Sequence, residues 1–176
     1  NASRTMLFDT HALSWSEELL GLFGVPASLL PQIRPSTAEF GVTAAGLLGA
    51  EVPVTAIAGD QHAAAFGQAC FRPGMSKNTY GTGCFMVQST GTDRMVPGGG
   101  LLGTIAWQLS GTAADYAVEG SVFTAGAAIQ WLRDGLGLIS QAADINALAA
   151  SVPDNGDVYL VPAFTGLAAR GTLITC

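Results

Sequence analysis

Charge is scarce in this chain. Only 11% of its 176 residues are charged, and seven Lys and Arg stand against thirteen Asp and Glu, for a net charge of −6. A generic nucleic-acid binder is excluded, because such proteins carry a basic patch. Cysteine is equally sparse: Cys70, Cys84 and Cys176 are odd in number and far apart. That spacing supports neither a disulfide framework nor a CxxC metal site, and makes a reducing, cytoplasmic setting the default. The two histidines, His11 and His62, are too widely separated to suggest a metal pair. Long apolar runs are missing as well. The longest uncharged stretch, Met95 to Ala114, is interrupted by Gly98, Gly99, Gly100, Gly103 and Gly111 together with Gln108 and Ser110, so no membrane span is expected. The first residues, Asn1-Ala2-Ser3-Arg4, have neither an initiator Met nor the basic and apolar regions of a signal peptide, and the chain is expected to begin mid-protein or after processing.

What is present is apolar: 49% of the residues are hydrophobic, enough to exclude disorder. The length suits one domain or two small ones. Patterning gives an α/β alternation. Ser14-Trp15-Ser16-Glu17-Glu18 offers a capped, acidic start for a short helix through Phe23, stopped by Gly24 and Pro26. Pro53 to Ala58 reads as a buried strand, and Asp60 opens a helix with Ala63, Phe66, Gly67 and Cys70 on one face. Met75–Tyr80 and Cys84–Ser89 read as strands joined at Gly81-Thr82-Gly83, and Leu101–Leu109 and Ala113–Glu119 extend them into a meander. A helix is expected from Ser121, with Val122, Ala125, Ile129, Leu132 and Leu136 on its apolar face and Gly137 ending it. A second helix over about 140–150 and a strand at Val158 to Pro162 follow. Arg72-Pro73-Gly74 marks a boundary between two partial domains, 1–70 and 71–176.

Asp60 admits two readings. It is either an N-cap whose carboxylate accepts from the amides of His62 or Ala63, or a general base at the carboxyl end of a strand, where α/β proteins place ligands. Gly81-Thr82-Gly83 is either a hairpin that needs positive φ or a turn whose amides and Thr82 hydroxyl surround phosphate oxygens. It is neither a P-loop nor a dinucleotide fingerprint, since no GxxxxGK[ST] occurs and Met86 stands where the third Gly would be. Gly126 and Gln130, four apart, are either a packing residue and a solvated amide or the face of an adenine pocket. Phe85 is either core or the apolar wall of a small polyol site. Gly120-Ser121-Val122-Phe123 is no hydrolase elbow, for Phe123 and Thr124 stand where the second glycine should be.

Asn1 through Phe8, Leu30 through Ser36, Gly59-Asp60-Gln61, Lys77 through Phe85, Glu119 through Phe123, Ile129 through Arg133 and Val161 through Leu167 together resemble, in order, the glycerol kinases of the FGGY carbohydrate kinase family, within the actin-like ATPase superfamily. The resemblance implies an actin-like ATPase (ribonuclease H-like) fold, with two partial domains flanking a nucleotide cleft. It implies transfer of phosphate from ATP, with Mg2+, to glycerol, giving glycerol 3-phosphate and ADP. In that likeness Asp60 matches the catalytic base and lies near the nucleotide-bound magnesium, Gln61 matches a glycerol-binding amide, and Phe85 matches the aromatic on the glycerol carbons. Thr82 and Gly83 match the phosphate turn, and Gly126 with Gln130 one side of the adenosine pocket. A homo-oligomer is also implied. The family's N-terminal phosphate loop, its other glycerol contacts and the closing side of its adenosine pocket lie outside these residues. Ala168-Ala169-Arg170-Gly171 follows Leu167 where the family has a longer loop, so the chain resembles an internally shortened fragment, expected to be inactive when isolated. Glu51 stands where sugar-bisphosphate-regulated bacterial members carry Arg, so that feedback is not expected. The alternatives are another polyol or sugar kinase of the family, or a non-catalytic nucleotide-binding module.

Overall fold

A computed structural model describes residues 1–164. Its elements, in chain order, are β1 (Phe8–Asp9), β2 (Ser14–Trp15), α1 (Glu17–Phe23), β3 (Thr37–Val42), α2 (Ala45–Leu48), β4 (Pro53–Ala56), α3 (Asp60–Gly67), β5 (Ser76–Tyr80), β6 (Cys84–Gly91), β7 (Leu102–Trp107), β8 (Asp115–Val122), α4 (Gly126–Asp134) and α5 (Asp144–Ala150). Helix α1 starts as its sequence dictates. The Ser16 hydroxyl accepts from the Leu19 amide, Glu17 and Glu18 occupy the first turn, and Gly24 closes the helix in the left-handed conformation.

By its contacts the chain divides into two compact units. The first comprises Asn1–Lys77, Val87–Gly98 and Leu102–Glu119; the second comprises Asn78–Met86, Gly99–Leu101 and the residues from Gly120 on. The core of the first unit gathers Ala65, Cys70, Val87, Ala106, Trp107 and Ala117, with Met75 and Leu109 packed against it. Beside it Phe66, Phe71 and Trp107 meet edge to face, with centroids 4.9 to 6.0 Å apart, a favourable arrangement of aromatic quadrupoles.

Five expectations need correction. Strand β4 forms where the Pro53 to Ala58 run predicts one, but it is exposed throughout: among the described residues its sheet contains only β3 and β4. The large sheet is not a simple meander. Its order is β5-β6-β8-β7, with β8 between β6 and the edge strand β7; the ten residues from 92 to 101 are long enough to carry the chain past the position that β8 takes. On α3 the buried residue is Ala65, whereas Ala63 is exposed and Phe66 is 41% exposed. Finally, Ser121 and Val122 belong to β8, and the next helix, α4, begins only at Gly126. Residues Val158 to Pro162 form no strand, because a strand needs a ladder partner and none of the described residues supplies one. Thr165, Gly166, Leu167, Ala168, Ala169, Arg170, Gly171 and Cys176 lie outside the described residues.

Candidate functional site

In the first unit the chemistry-bearing residues gather at the start of α3. The N-cap of this helix is Gly59, whose carbonyl accepts from the Ala63 amide at 2.8 Å, and Asp60 is the first helical residue. The N-cap reading of Asp60 is therefore set aside: one position further along, its side chain makes no capping bond. The carboxylate is exposed and accepts from Gln61 Nε2 at 3.0 Å. It sits in the first turn, where the helix dipole favours an anion.

Gln61 is held from its other end as well. Its Oε1 accepts from the Nζ of Lys77, the only buried residue of β5, with 2% of its surface exposed. Burial pushes the Lys77 ammonium below its ordinary value, while Glu119, Asp60 and Cys70 oppose that shift. Glu119, itself 5% exposed, pairs with Arg4 at 3.1 Å. Sequence reasoning assigned no role to Lys77, Glu119 or Arg4. The available signal was a lysine at an inward position of a strand in a chain with few basic residues; reading it required knowing which face of β5 is covered.

His62 follows directly. Its Nε2 is buried without a hydrogen-bond partner among the described residues, and burial foremost, then the charges of the Asn1 amino group, Arg4 and Lys77, push its pKa down to about 4, with Asp60 opposing. A folded-state value below the ordinary 6.5 means that the unfolded chain binds the extra proton. The stability that His62 contributes is thus complete above pH 6.5 and lost as pH falls from there through about 4. The shift corresponds to at most about 3 kcal/mol, and to less once partial solvent exposure screens it. Thermal melting between pH 7 and pH 4.5 is expected to show this loss, and His62→Gln to flatten it; an equally steep profile in the variant would assign the loss to other groups.

In the second unit the turn 81–83 forms between β5 and β6. Neither Gly81 nor Gly83 has a positive φ, so the conformational reason for glycine is replaced by a steric one. A Cβ on Gly83 would lie 2.6 Å from the Val122 carbonyl oxygen and 3.1 Å from that of Phe123, and a Cβ on Gly126 would lie 2.6 Å from the Gly81 carbonyl oxygen. The same approach starts α4: Ala125 and Ala127 donate to the Thr82 carbonyl at 2.8 and 3.2 Å, and Gly126 donates to the Gly81 carbonyl at 2.9 Å. Three amides at the helix start are thereby occupied by the turn. Thr82 is exposed and Gly83 buried; among the described residues the Thr82 amide and hydroxyl have no hydrogen-bond partner. Gly126 and Gln130 lie one turn apart on α4, with Gln130 exposed. Phe85 is half-buried in β6.

Residues 1–67 match the model of the FGGY family of carbohydrate kinases, N-terminal domain, and residues 76–174 that of its C-terminal domain. The chain belongs to the FGGY family of carbohydrate kinases. It is 55% identical over 184 aligned residues to a glycerol kinase of Bordetella pertussis, covering 99% of this chain and 36% of that protein. It is 60% identical over 170 residues to a glycerol kinase of Symbiobacterium thermophilum, covering 96% of this chain and 34% of the relative. Among solved structures it resembles Plasmodium falciparum glycerol kinase with ADP, at a TM-score of 0.86 and 35% identity over 94% of this chain and 33% of that one. The fold is therefore that of the FGGY kinases, the actin-like ATPase fold. The chain spans about a third of the length of the curated relatives it matches.

Among the described residues no group of three or more His, Cys, Asp or Glu side chains could hold a metal ion. No helix among them is long and apolar enough to cross a membrane.

Proposed function

We propose that the protein acts as an ATP-dependent glycerol kinase, making glycerol 3-phosphate and ADP. The observation that carries the reading is Asp60: an exposed carboxylate in the first turn of α3, free of capping duty and touched by the Gln61 amide. Relatives 55% to 60% identical across almost the whole chain and named glycerol kinases support the substrate.

In the reaction the terminal hydroxyl oxygen of glycerol forms a bond to the γ-phosphorus of ATP, the bond from that phosphorus to the bridging oxygen breaks, and the hydroxyl proton passes to the Asp60 carboxylate. Among the described residues Asp60 accepts a single hydrogen bond, which leaves lone pairs for the incoming proton. Gln61 orients the hydroxyl, and Phe85 packs on the carbon skeleton. Thr82 supplies an amide and a hydroxyl to phosphate oxygens, while Gly83 lets the turn lie against the end of β8. Gly126 and Gln130 form one side of the adenosine site. The acidic groups fit Mg2+ only as an ion that arrives on the nucleotide: no triad of ligands exists among the described residues, so Asp60 would meet the ion as one neighbouring charge. When bound, the ion neutralises phosphate charge.

A domain division near residues 70–71 goes with this reading, as do a homo-oligomeric assembly and a cytoplasmic setting; light scattering of the purified protein tests the assembly. The activity test is a coupled ADP assay on protein expressed from the complete gene, with magnesium, ATP and either glycerol or a ketopentose. ADP release dependent on glycerol is expected; release only with the ketopentose would move the protein to a different branch of the family.

A further inference from the structure

Lys77 is buried on the inner face of β5 and donates from Nζ to the Oε1 of Gln61. A buried ammonium is costly unless it is paired or fully hydrogen-bonded. Here Glu119 attracts it, yet that carboxylate also holds Arg4 at 3.1 Å. Lys77 has a definite effect on its neighbour.

An amide has two chemically different ends, and Gln61 could rotate by half a turn about its last bond with little change in shape. Lys77 has three donors and no acceptor, so it accepts only one of the two orientations, the one with the Gln61 oxygen toward Nζ. The Gln61 NH2 is thereby turned toward Asp60, to which it donates at 3.0 Å. One of its two hydrogens is used there; the other has no partner among the described residues and is available to a ligand oxygen. Reversed, the amide would put its oxygen against the Asp60 carboxylate and its NH2 against an ammonium, two repulsive contacts.

We propose that Lys77 is a positioning residue for the acceptor alcohol: it locks the Gln61 side-chain amide with the NH2 outward, so that Asp60 presents an acceptor and Gln61 a donor to the same hydroxyl-bearing substrate. The inference rests on the kinase reading of Asp60 and Gln61 and adds the residue that sets their polarity. Lys77 acts through Gln61, and Glu119, held by Arg4 at 3.1 Å, attracts its ammonium.

The experiment is a double-mutant cycle of Lys77→Met and Gln61→Ala in protein expressed from the complete gene, reading KM for glycerol, KM for ATP, kcat and melting temperature. Loss of positioning at a reacting group costs on the order of 100-fold. Lys77→Met is therefore expected to raise KM for glycerol or lower kcat by about 10- to 100-fold while KM for ATP changes little, and to add little further loss once Gln61 is Ala. Losses that multiply across the cycle, or a glycerol dependence that Lys77→Met leaves unchanged, overturn the proposal. If Lys77→Met does not fold, the cycle is run with Lys77→Arg, which keeps the charge but moves the donor, and multiplying losses overturn the proposal there too. The contact has its own readout, independent of turnover: the Gln61 side-chain amide NMR signals are expected to shift or broaden when Lys77 is replaced, and unchanged signals count against the inference. Failure of the wild-type protein to phosphorylate glycerol would sink the kinase reading instead, and the NMR result would still decide whether Lys77 orients Gln61.

Discussion

Asp60→Asn is expected to lower turnover by about 10²- to 10⁴-fold, the usual cost of removing a general base, and to leave ATP binding and melting temperature nearly unchanged. The structure makes this a clean substitution. Asn keeps an oxygen that can accept from Gln61 Nε2, as Asp60 does at 3.0 Å. Helix capping is untouched, because Gly59 is the N-cap and the Asp60 side chain makes no capping bond. Only the charge in the first turn is lost, which is worth about 0.3–1 kcal/mol through the helix dipole. An interaction made mainly in the transition state lowers kcat and kcat/KM together. Single-turnover phosphorylation of glycerol, isothermal titration with ATP and a thermal melt check the three quantities. Turnover near wild type would remove Asp60 from the chemistry.

Gly83→Val is expected to disrupt the second unit and nucleotide binding together. The first methyl-sized group added at this position meets the Val122 carbonyl oxygen at 2.6 Å and the Phe123 carbonyl oxygen at 3.1 Å. These are backbone atoms, so they cannot swing aside as a flexible side chain would. Moving the turn away weakens the hydrogen bonds from Ala125, Gly126 and Ala127 that start α4, and with them the placement of Gly126 and Gln130. Overpacking of this kind costs typically about 1–3 kcal/mol, a fall of several degrees in melting temperature for a chain of this size. Thr82→Val provides the contrast. It keeps the volume and the turn and removes only a hydroxyl, so KM for ATP is expected to rise by about 10- to 100-fold, the worth of one hydrogen bond to a charged group, with an unchanged melt. A Gly83→Val protein that melts like wild type would show that the turn can move without loss. An unchanged ATP dependence in Thr82→Val would take the hydroxyl out of the phosphate site.

The contrast between these two residues shows how the candidate site was legible and where it was not. Gly81-Thr82-Gly83 stands out in the sequence, but composition leaves two explanations for its glycines open: positive φ, or space for a ligand. The structure supplies a third, close approach of one backbone to another, which depends on residues about forty positions away and on the return of β8 beside β6. The start of α4 is hidden from the sequence for the same reason. The apolar spacing from Val122 onward fits a helix, yet the amides that begin the helix are those captured by the turn carbonyls, a tertiary event with no local signature. Asp60 was legible as a strand-to-helix acid but not as N1 rather than N-cap, a distinction of one residue that decides whether its carboxylate is occupied.

By itself, then, the sequence determined the elements whose causes are local: α1 between the Ser16 hydroxyl and the left-handed Gly24, the strand, acid and helix succession from β4 to α3, and the tight connection of β5 to β6. It also carried the family, because ordered short motifs survive in a chain whichever way it is folded. Tertiary structure alone decided the sheet order, the exposure of β4, the steric need for Gly83 and Gly126, and the burial of Lys77 against Gln61. Each of these depends on which segments distant in sequence meet, and a side chain's neighbours across such a meeting leave no periodicity for a sequence to display.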